Sequence, residues 1–244
     1  MSAEALTPDV PEIQHEHPDV TGGWLRPAVF GAMDGLVSNL ALIAGVAGGT
    51  RDQAGSSAIV LAGLAGLAAG AFSMAAGEYT SVASQSEAAQ REIDKERREI
   101  IANPVAEADE LARMYVEKGL DRDLAREVAR QIHTDVDNAV SVHAREELGV
   151  DPDDLASPMV AAVSSFLSFA AGAAIPVLPY LLGAGSLVPG LLVTLLALFL
   201  CGAVVTQITS RSWWYGGVRQ LALGALAAGL TYAFGSLVGG VGIG

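Results

Sequence analysis

Five long apolar runs constrain the fold of this chain more than any other feature of its sequence. Each run has about 20 or more residues, which is the length that an α-helix needs to cross the hydrocarbon core of a bilayer. The runs cover residues 28–49, 58–83, 159–183, 187–209 and 216–241. A soluble helical core is the alternative, but five runs of this length disfavour it. The sequence therefore predicts an all-α integral membrane protein with five transmembrane helices.

The charged residues are concentrated in one block, residues 85–157, between the second and third apolar runs. The block holds 10 of the 14 Lys and Arg residues and 19 of the 27 Asp and Glu residues. Cap and stop signals in it predict three helices. The first continues the second apolar run to about residue 101, the second covers 104–118, and the third covers 121–148. The signals are Asn103, Pro104, Gly119, Asp121 and Gly149.

The domain organisation and the orientation follow from these segments. Residues 1–23 are polar and acidic, and we expect them to form a disordered cytoplasmic tail. Transmembrane helices 1 and 2 then occupy residues 24–84, and helices 3 to 5 occupy residues 158–244. With a cytoplasmic N-terminus, thirteen basic residues face the cytoplasm and only Arg51 faces the other side. The charged block is therefore predicted to be cytoplasmic, and the C-terminus extracytoplasmic.

The overall charge limits the classes of partner. A net charge of −13 disfavours nucleic acid, because phosphates are bound by Lys and Arg, and it favours cations. Cys201 is the only cysteine and lies in an apolar run, so neither a disulfide framework nor a cysteine-based metal site is expected.

The charged block contains matched pairs of acidic residues in the stretch "EIDKERREIIANPVAEADEL". Residues three or four apart share a helix face, so each pair projects together. Carboxylates joined by an imidazole suit divalent transition metals, and a bound cation removes the repulsion between them. The alternative is a solvated face on which neighbouring Lys and Arg residues neutralise the glutamates. The candidate ligands are Glu96, Glu99, Glu107, Glu110, His143 and Glu147.

Two acidic residues lie within the apolar runs themselves. Asp34 lies in "FGAMDGLVSN", and Glu78 lies in "SMAAGEY", one turn after Met74. An ionised Asp at bilayer depth costs about 2.5–3.5 kcal/mol, so such residues usually face a polar pathway. Simple packing of Met74 and an interfacial position for Glu78 are the alternatives. We interpret all three residues as a transport pathway through the membrane.

The membrane segments resemble those of the vacuolar iron transporter family over nearly all of residues 24–241. The resemblance rests on "GAMDGLVSNLALIAGV", "GLAAGAFSMAAGEY" and "SFLSFAAGAAIPVLPYLL". It implies five membrane spans with a three-helix cytoplasmic metal-binding domain, a homodimer, and movement of ferrous iron out of the cytosol in exchange for protons. It also implies membrane pathway positions at Asp34 and Met74. The metal ligands that it implies are Glu96, Glu99, Glu107, Glu110 and Glu147.

The chain departs from the plant members of that family at two places. A methionine pair that precedes the last glutamate is replaced by His143 and Ala144, which makes the cluster poorer in thioether ligands. A glutamate of the second span is replaced by Gly66, whereas Glu78 stands in place of a glycine. We hypothesise that Glu78 takes over the proton or metal role from a different depth.

The expected function is therefore export of Fe²⁺, or of Mn²⁺ or a similar ion, across the plasma membrane by proton antiport. The metal is substrate and ligand, and no prosthetic group and no enzymatic activity are expected. A membrane-anchored di-iron ferroxidase is the alternative, but neither His133 nor His143 has a glutamate three residues before it, as the Glu-x-x-His motif of di-iron proteins requires. A metal sensor without transport is the other alternative.

Overall fold

The computed structural model describes residues 23–50, 55–209 and 211–241, and the regular elements in these ranges are all helical. The predicted tail, apart from Gly23, and Arg51 lie outside the described residues. The elements in chain order are α1 Leu25–Gly49, α2 Ser56–Ala102, α3 Pro104–Glu117, α4 Arg122–Ile132, α5 Val136–His143, a π-helical turn Ala144–Leu148, α6 Pro158–Ala174, α7 Leu178–Leu181, α8 Leu187–Thr209 and α9 Trp213–Gly240.

Helices α1, α2, α8 and α9 are long and apolar enough to cross a membrane. The third predicted span, residues 159–183, is interrupted. Helix α6 has 17 residues and is therefore about 26 Å long, and only the short helix α7 follows it. Pro176 and Pro179 interrupt this segment because proline supplies no backbone N–H to a helix. The prediction of full-length spans is confirmed for four helices.

The spanning helices bury little of their apolar surface within the chain. Only 17% of the apolar window of α2 and 11% of that of α9 is buried. An outer surface of this size and composition is unfavourable in water and favourable in lipid. The all-helical structure and these exposed faces support a multi-pass membrane protein.

Helix α1 lies at the centre of the membrane bundle, between α6 and α9, and α2 packs against α6. A Cβ atom at Gly35 would lie 2.8 Å from the backbone nitrogen of Ala173, so glycine is required for this close approach of α1 and α6. Asn39 of α1 donates hydrogen bonds to the carbonyl oxygens of Gly63 in α2 and Ala173 in α6. These contacts fix α1, α2 and α6 around a common space.

The charged block begins as predicted. Helix α2 continues without interruption for 47 residues to Ala102, and Pro104 occupies the first turn of α3. Gly119 has a φ angle of 100°, which ends the next helix in the left-handed conformation. The Asp121 carboxylate accepts hydrogen bonds from the backbone N–H groups of Asp123 and Leu124, and thereby caps α4.

The prediction of one long third helix over residues 121–148 is wrong. Helix α4 ends at Ile132, where the Thr134 hydroxyl donates to the carbonyl oxygen of Gln131. The Asp135 carboxylate then accepts the backbone N–H of Asp137 at 2.8 Å and starts α5. A side chain that caps a new helix competes with continuation of the old one. The block therefore contains an additional helix, and this break determines where His143 lies.

Candidate metal site and membrane cavity

Three of the six predicted metal ligands meet in one cluster of the charged block, which we call the pocket and in which Glu96 and His143 are buried. Glu96 of α2, His143 at the end of α5 and Glu147 of the π-helical turn each offer a ligand atom, and these atoms all lie within 4.8 Å of one another. His143 Nδ1 is 2.9 Å from Glu96 Oε1 and 3.0 Å from Glu147 Oε1. His143 is fully buried and the Glu147 side chain is 25% exposed, so the pocket has one open side.

An apolar contact between α2 and α5 places Glu96 in this pocket. Ile93 and Ile100 lie three and four residues from Glu96 on the same face of α2, and both are buried against α5. Val140, one turn before His143, packs on the same cluster. The glutamate is therefore carried into the interior by the apolar side chains around it. Turns of π-helix are frequent at functional sites, and the one here places the Glu147 carboxylate beside the His143 imidazole.

The electrostatics of the pocket favour a cation. Burial, followed by the negative charge of Glu147, raises the pKa of Glu96 to about 7, although His143 lowers it. Burial and the charge of Glu110 raise the pKa of Glu107. These carboxylates therefore repel one another at neutral pH, and a divalent cation bound between them would relieve that repulsion.

The other predicted ligands lie around the pocket without joining it. Glu99, Glu107 and Glu110 are outside the group of mutually close ligand atoms, and Glu99 lies 3.9 Å from the Lys95 ammonium. The charges of Glu99 and Glu107 nevertheless contribute to the raised pKa of Glu96. We call Glu99, Glu107 and Glu110 the acidic rim, because their negative charges surround the pocket and act on it without direct contact.

The neighbouring arginines do not neutralise Glu96. The Arg97 guanidinium lies 2.6 Å from an Asp137 carboxylate oxygen, and Arg98 donates to the backbone carbonyl of Asp94. The interpretation of this stretch as a face of surface ion pairs therefore describes Lys95 and Glu99 but not Glu96.

A second imidazole, which the sequence reasoning did not select, lies behind the pocket. The His133 ring contacts the His143 ring edge-on, with 5.1 Å between the ring centroids. His133 Nδ1 lies 2.9 Å from the carbonyl oxygen of Ala129, so it carries the proton and Nε2 is left as an acceptor. Burial lowers the pKa of His133, which favours this neutral form. The only sequence signal was a histidine ten residues before His143, and the break between α4 and α5 hides their proximity.

Two of the predicted pathway residues line a common cavity in the membrane region. Asp34 and Met74 face a space of about 250 Å³ that is bordered by α1, α2 and α6 and is open on one side. Gly66 also lines it, at the position where plant relatives were expected to carry a glutamate. The remaining lining residues are Ser38, Asn39, Leu42, Gly70, Ser73 and Phe169.

Glu78 lies apart from this cavity. It is not among the lining residues, although it lies one turn, or about 6 Å, after Met74 along α2. Its carboxylate is 3.9 Å from the Arg26 guanidinium at the start of α1, and its side chain is only 11% exposed. Arg26 was expected only to orient the chain in the membrane, so this ion pair was not predicted.

Comparison with known proteins identifies the family. Residues 25–236 match the VIT family. The chain is 37% identical over 237 residues to a vacuolar iron transporter of Acanthamoeba castellanii, covering 95% of this chain and 85% of that protein. It is 31% identical over 230 residues to vacuolar iron transporter 1 of Oryza sativa subsp. japonica, covering 92% and 90% of the two chains. The resemblance carried by the membrane motifs is confirmed, and the chain belongs to the VIT family.

Proposed function

We propose that this protein transports a divalent transition-metal ion, with Fe²⁺ as the first candidate, out of the cytoplasm in exchange for protons. Its curated relatives are named iron transporters. The observation that carries the proposal is the placement of two candidate ion sites on one continuous helix. Helix α2 supplies Glu96 to the pocket and Met74 to the membrane cavity.

The pocket is suited to collecting the ion. When both carboxylates are ionised they carry two negative charges, which a divalent ion neutralises, and the imidazole supplies a third ligand atom. The acidic rim of Glu99, Glu107 and Glu110 raises the local concentration of cations near the open side. His143 gives the site more affinity for borderline transition metals than carboxylates alone would provide.

The membrane cavity is suited to passing the ion on. It lies 22 residues along α2 from the pocket, which corresponds to about 33 Å. Asp34 supplies one carboxylate and Met74 one polarizable thioether, a combination that binds Fe²⁺ more readily than Mg²⁺ or Ca²⁺. A proton that replaces the ion on Asp34 would reset the site and would couple metal movement to proton movement.

We further propose that the charged block faces the cytoplasm, as the distribution of basic residues predicts. The plasma membrane is our proposed location, whereas the names of the relatives place those proteins at the vacuole. In either membrane the ion would leave the cytosol. A homodimer is proposed on the family resemblance.

The alternative of a di-iron ferroxidase receives no support from the pocket. Di-iron proteins hold two ions with carboxylates from four helices and paired Glu-x-x-His motifs. In the part of the chain that the structure describes, the grouped ligands are one imidazole and two carboxylates, which suit a single ion.

Transport is tested with the full chain in proteoliposomes that contain a metal-sensitive dye in one preparation and a pH-sensitive dye in another. We expect Fe²⁺ to enter when a pH gradient is imposed and protons to move in the opposite direction. Mn²⁺, Co²⁺ and Zn²⁺ are compared under the same gradient. Flux no greater than in protein-free liposomes would refute transport, and oxygen consumption on addition of Fe²⁺ would favour the ferroxidase.

A further inference from the structure

The membrane cavity contains a buried amide whose hydrogen bonds are only partly satisfied. Asn39 is 2% exposed, and its Nδ2 atom lies 2.6 Å from the carbonyl oxygen of Ala173 and 3.1 Å from that of Gly63. Its Oδ1 atom is buried and has no hydrogen-bond partner among the described residues. A polar atom left in this state costs roughly 1–3 kcal/mol.

The orientation of this amide is fixed by its surroundings. Both groups beside Nδ2 are carbonyl oxygens, which accept hydrogen bonds and cannot donate them. The opposite orientation would place oxygen against oxygen and lose both bonds. Oδ1 must therefore be directed away from the two carbonyls.

Oδ1 is directed into the cavity that Asp34 and Met74 line. A Cβ atom added to Gly66 would lie 2.9 Å from Oδ1, and Gly66 is itself part of the cavity wall. Because Gly66 has no side chain, no Cβ atom of α2 covers the oxygen from this side, and the end of the flexible Leu42 side chain lies there instead. A neutral hard oxygen, a carboxylate and a soft thioether therefore face one space of about 250 Å³.

We propose that Asn39 Oδ1 is a ligand of the transported divalent ion in the membrane cavity, together with Asp34 and Met74. The assignment rests on the proposed transport function and extends it to a residue that the pathway prediction did not include. Amide oxygens bind hard and borderline divalent ions, and this one adds no negative charge that would hold the ion in place. The two helices fixed by Nδ2 keep the oxygen in position when the ion leaves.

The chain offers a variant that crowds the oxygen while keeping both carbonyl partners of Nδ2 in the sequence. Gly66→Ala would place a methyl group against Oδ1 and against the end of the flexible Leu42 side chain. Gly77→Ala is the matched control on the same helix, because a Cβ atom there meets nothing within 4 Å. Met74→Leu removes the soft ligand instead of the hard one.

The test compares transport of Mn²⁺, a hard ion, with that of Cd²⁺, a soft one, in proteoliposomes. We expect Gly66→Ala to raise the KM for Mn²⁺ about tenfold and to change that for Cd²⁺ less than about twofold, since even indirect partners of metal ligands contribute factors of this size. Met74→Leu should show the reverse preference, and Gly77→Ala should match the wild type. A variant that only distorts the structure or blocks the cavity would raise the KM for both ions equally.

Equal losses for the two ions with Gly66→Ala, or no loss for either, would overturn the assignment. If the wild-type protein carries neither ion, the proposed function fails, and the ligand assignment is then tested by binding alone. The full chain with Glu96→Gln, His143→Ala and Glu147→Gln is titrated with Mn²⁺ and monitored by electron paramagnetic resonance. Binding that Gly66→Ala abolishes supports the assignment, and absence of binding or binding that Gly66→Ala leaves intact overturns it.

Discussion

The two candidate ion sites of this protein differ in how much charge they hold. The cytoplasmic pocket has two carboxylates in contact with His143 and an acidic rim around them. The membrane cavity has one carboxylate, Asp34, among neutral and apolar groups. An ionised side chain has a low free energy beside water and a high one in a bilayer, so the pocket can hold several carboxylates and the cavity few. The pocket can therefore bind an ion strongly, whereas the cavity binds it weakly enough to release it. The difference indicates a division between collecting the ion and moving it.

The largest effect is expected from Asp34→Asn, which removes the one carboxylate among the described residues that line the cavity. Transport should fall at least about a hundredfold, because a divalent ion would then enter a site without any opposing charge, which is worth roughly 2.7 kcal/mol or more in the barrier. Metal affinity of the pocket should stay unchanged. Proteoliposome flux and calorimetric titration measure the two quantities. If transport and the metal affinity of the pocket fell together, the two sites would not act independently.

The second-largest effect is the reverse of the first, because a variant in the pocket should impair collection of the ion and leave its movement through the membrane intact. Glu96→Gln should weaken metal binding in the pocket by about 10–100-fold, the range found when partners in metal sites are removed. It should raise the KM for transport while leaving the maximal rate near that of the wild type. Glu87→Gln is the matched control, because Glu87 lies on the same helix outside the pocket and its acidic rim and pairs with Arg91. A fall in the maximal rate with Glu96→Gln alone would place this residue in the movement step.

A smaller effect concerns pH and the stability of the metal-free protein. The pKa of Glu96 is raised from its ordinary value of 4.5 to about 7, so the folded state holds this proton more tightly than the unfolded state. The stability from this group is fully present below pH 4.5 and is lost as the pH rises through 7. The Tm of the metal-free protein should therefore decrease between pH 5 and 8 by about 5–10 °C, in keeping with roughly 2–3 kcal/mol.

Thermal unfolding followed by intrinsic fluorescence measures this decrease. Glu96→Gln should reduce it, whereas Glu87→Gln should retain it, since Glu87 pairs with Arg91 and does not act on Glu96. Saturating metal should cancel the decrease in the wild type, because the cation takes the place of the proton. A Tm that is independent of pH in the metal-free wild type would contradict the buried, repelling arrangement of these carboxylates.

The helices and their ends were largely predictable from local signals. Apolar runs, Pro104, Gly119 and Asp121 each act within a few residues, and the structure places helix boundaries where these signals predict them. The break near Thr134 was not predicted, because Asp135 can serve either as an exposed residue within a helix or as the cap of a new one. Only the packing of α5 on α2 decides between the two.

The candidate sites were predictable as sets of residue types but not as contacts. Spacing placed Glu99 and Glu96 on one side of α2, yet the apolar contacts around Ile93 and Ile100 bury only Glu96. The proximity of His133 to His143 and the free oxygen of Asn39 depend on long-range packing, for which the sequence carries no local signal. Charge patterns thus identify candidates, and burial selects among them.

The smallest effect tests whether Glu78 belongs to either site. Its ion pair with Arg26 can be broken from both sides, by Glu78→Gln or by Arg26→Gln. A pair that only fastens α1 to α2 would give equal effects, and one exposed partner limits its stabilisation to about 1 kcal/mol. We expect instead that Glu78→Gln slows transport about threefold, or roughly 0.6 kcal/mol in the barrier, and that Arg26→Gln does not slow it, because the freed carboxylate remains available to an ion leaving the pocket. Equal transport rates for the two variants would show that Glu78 has only a structural role. The proposed route between the pocket and the cavity would then have no functional carboxylate at the position of Glu78.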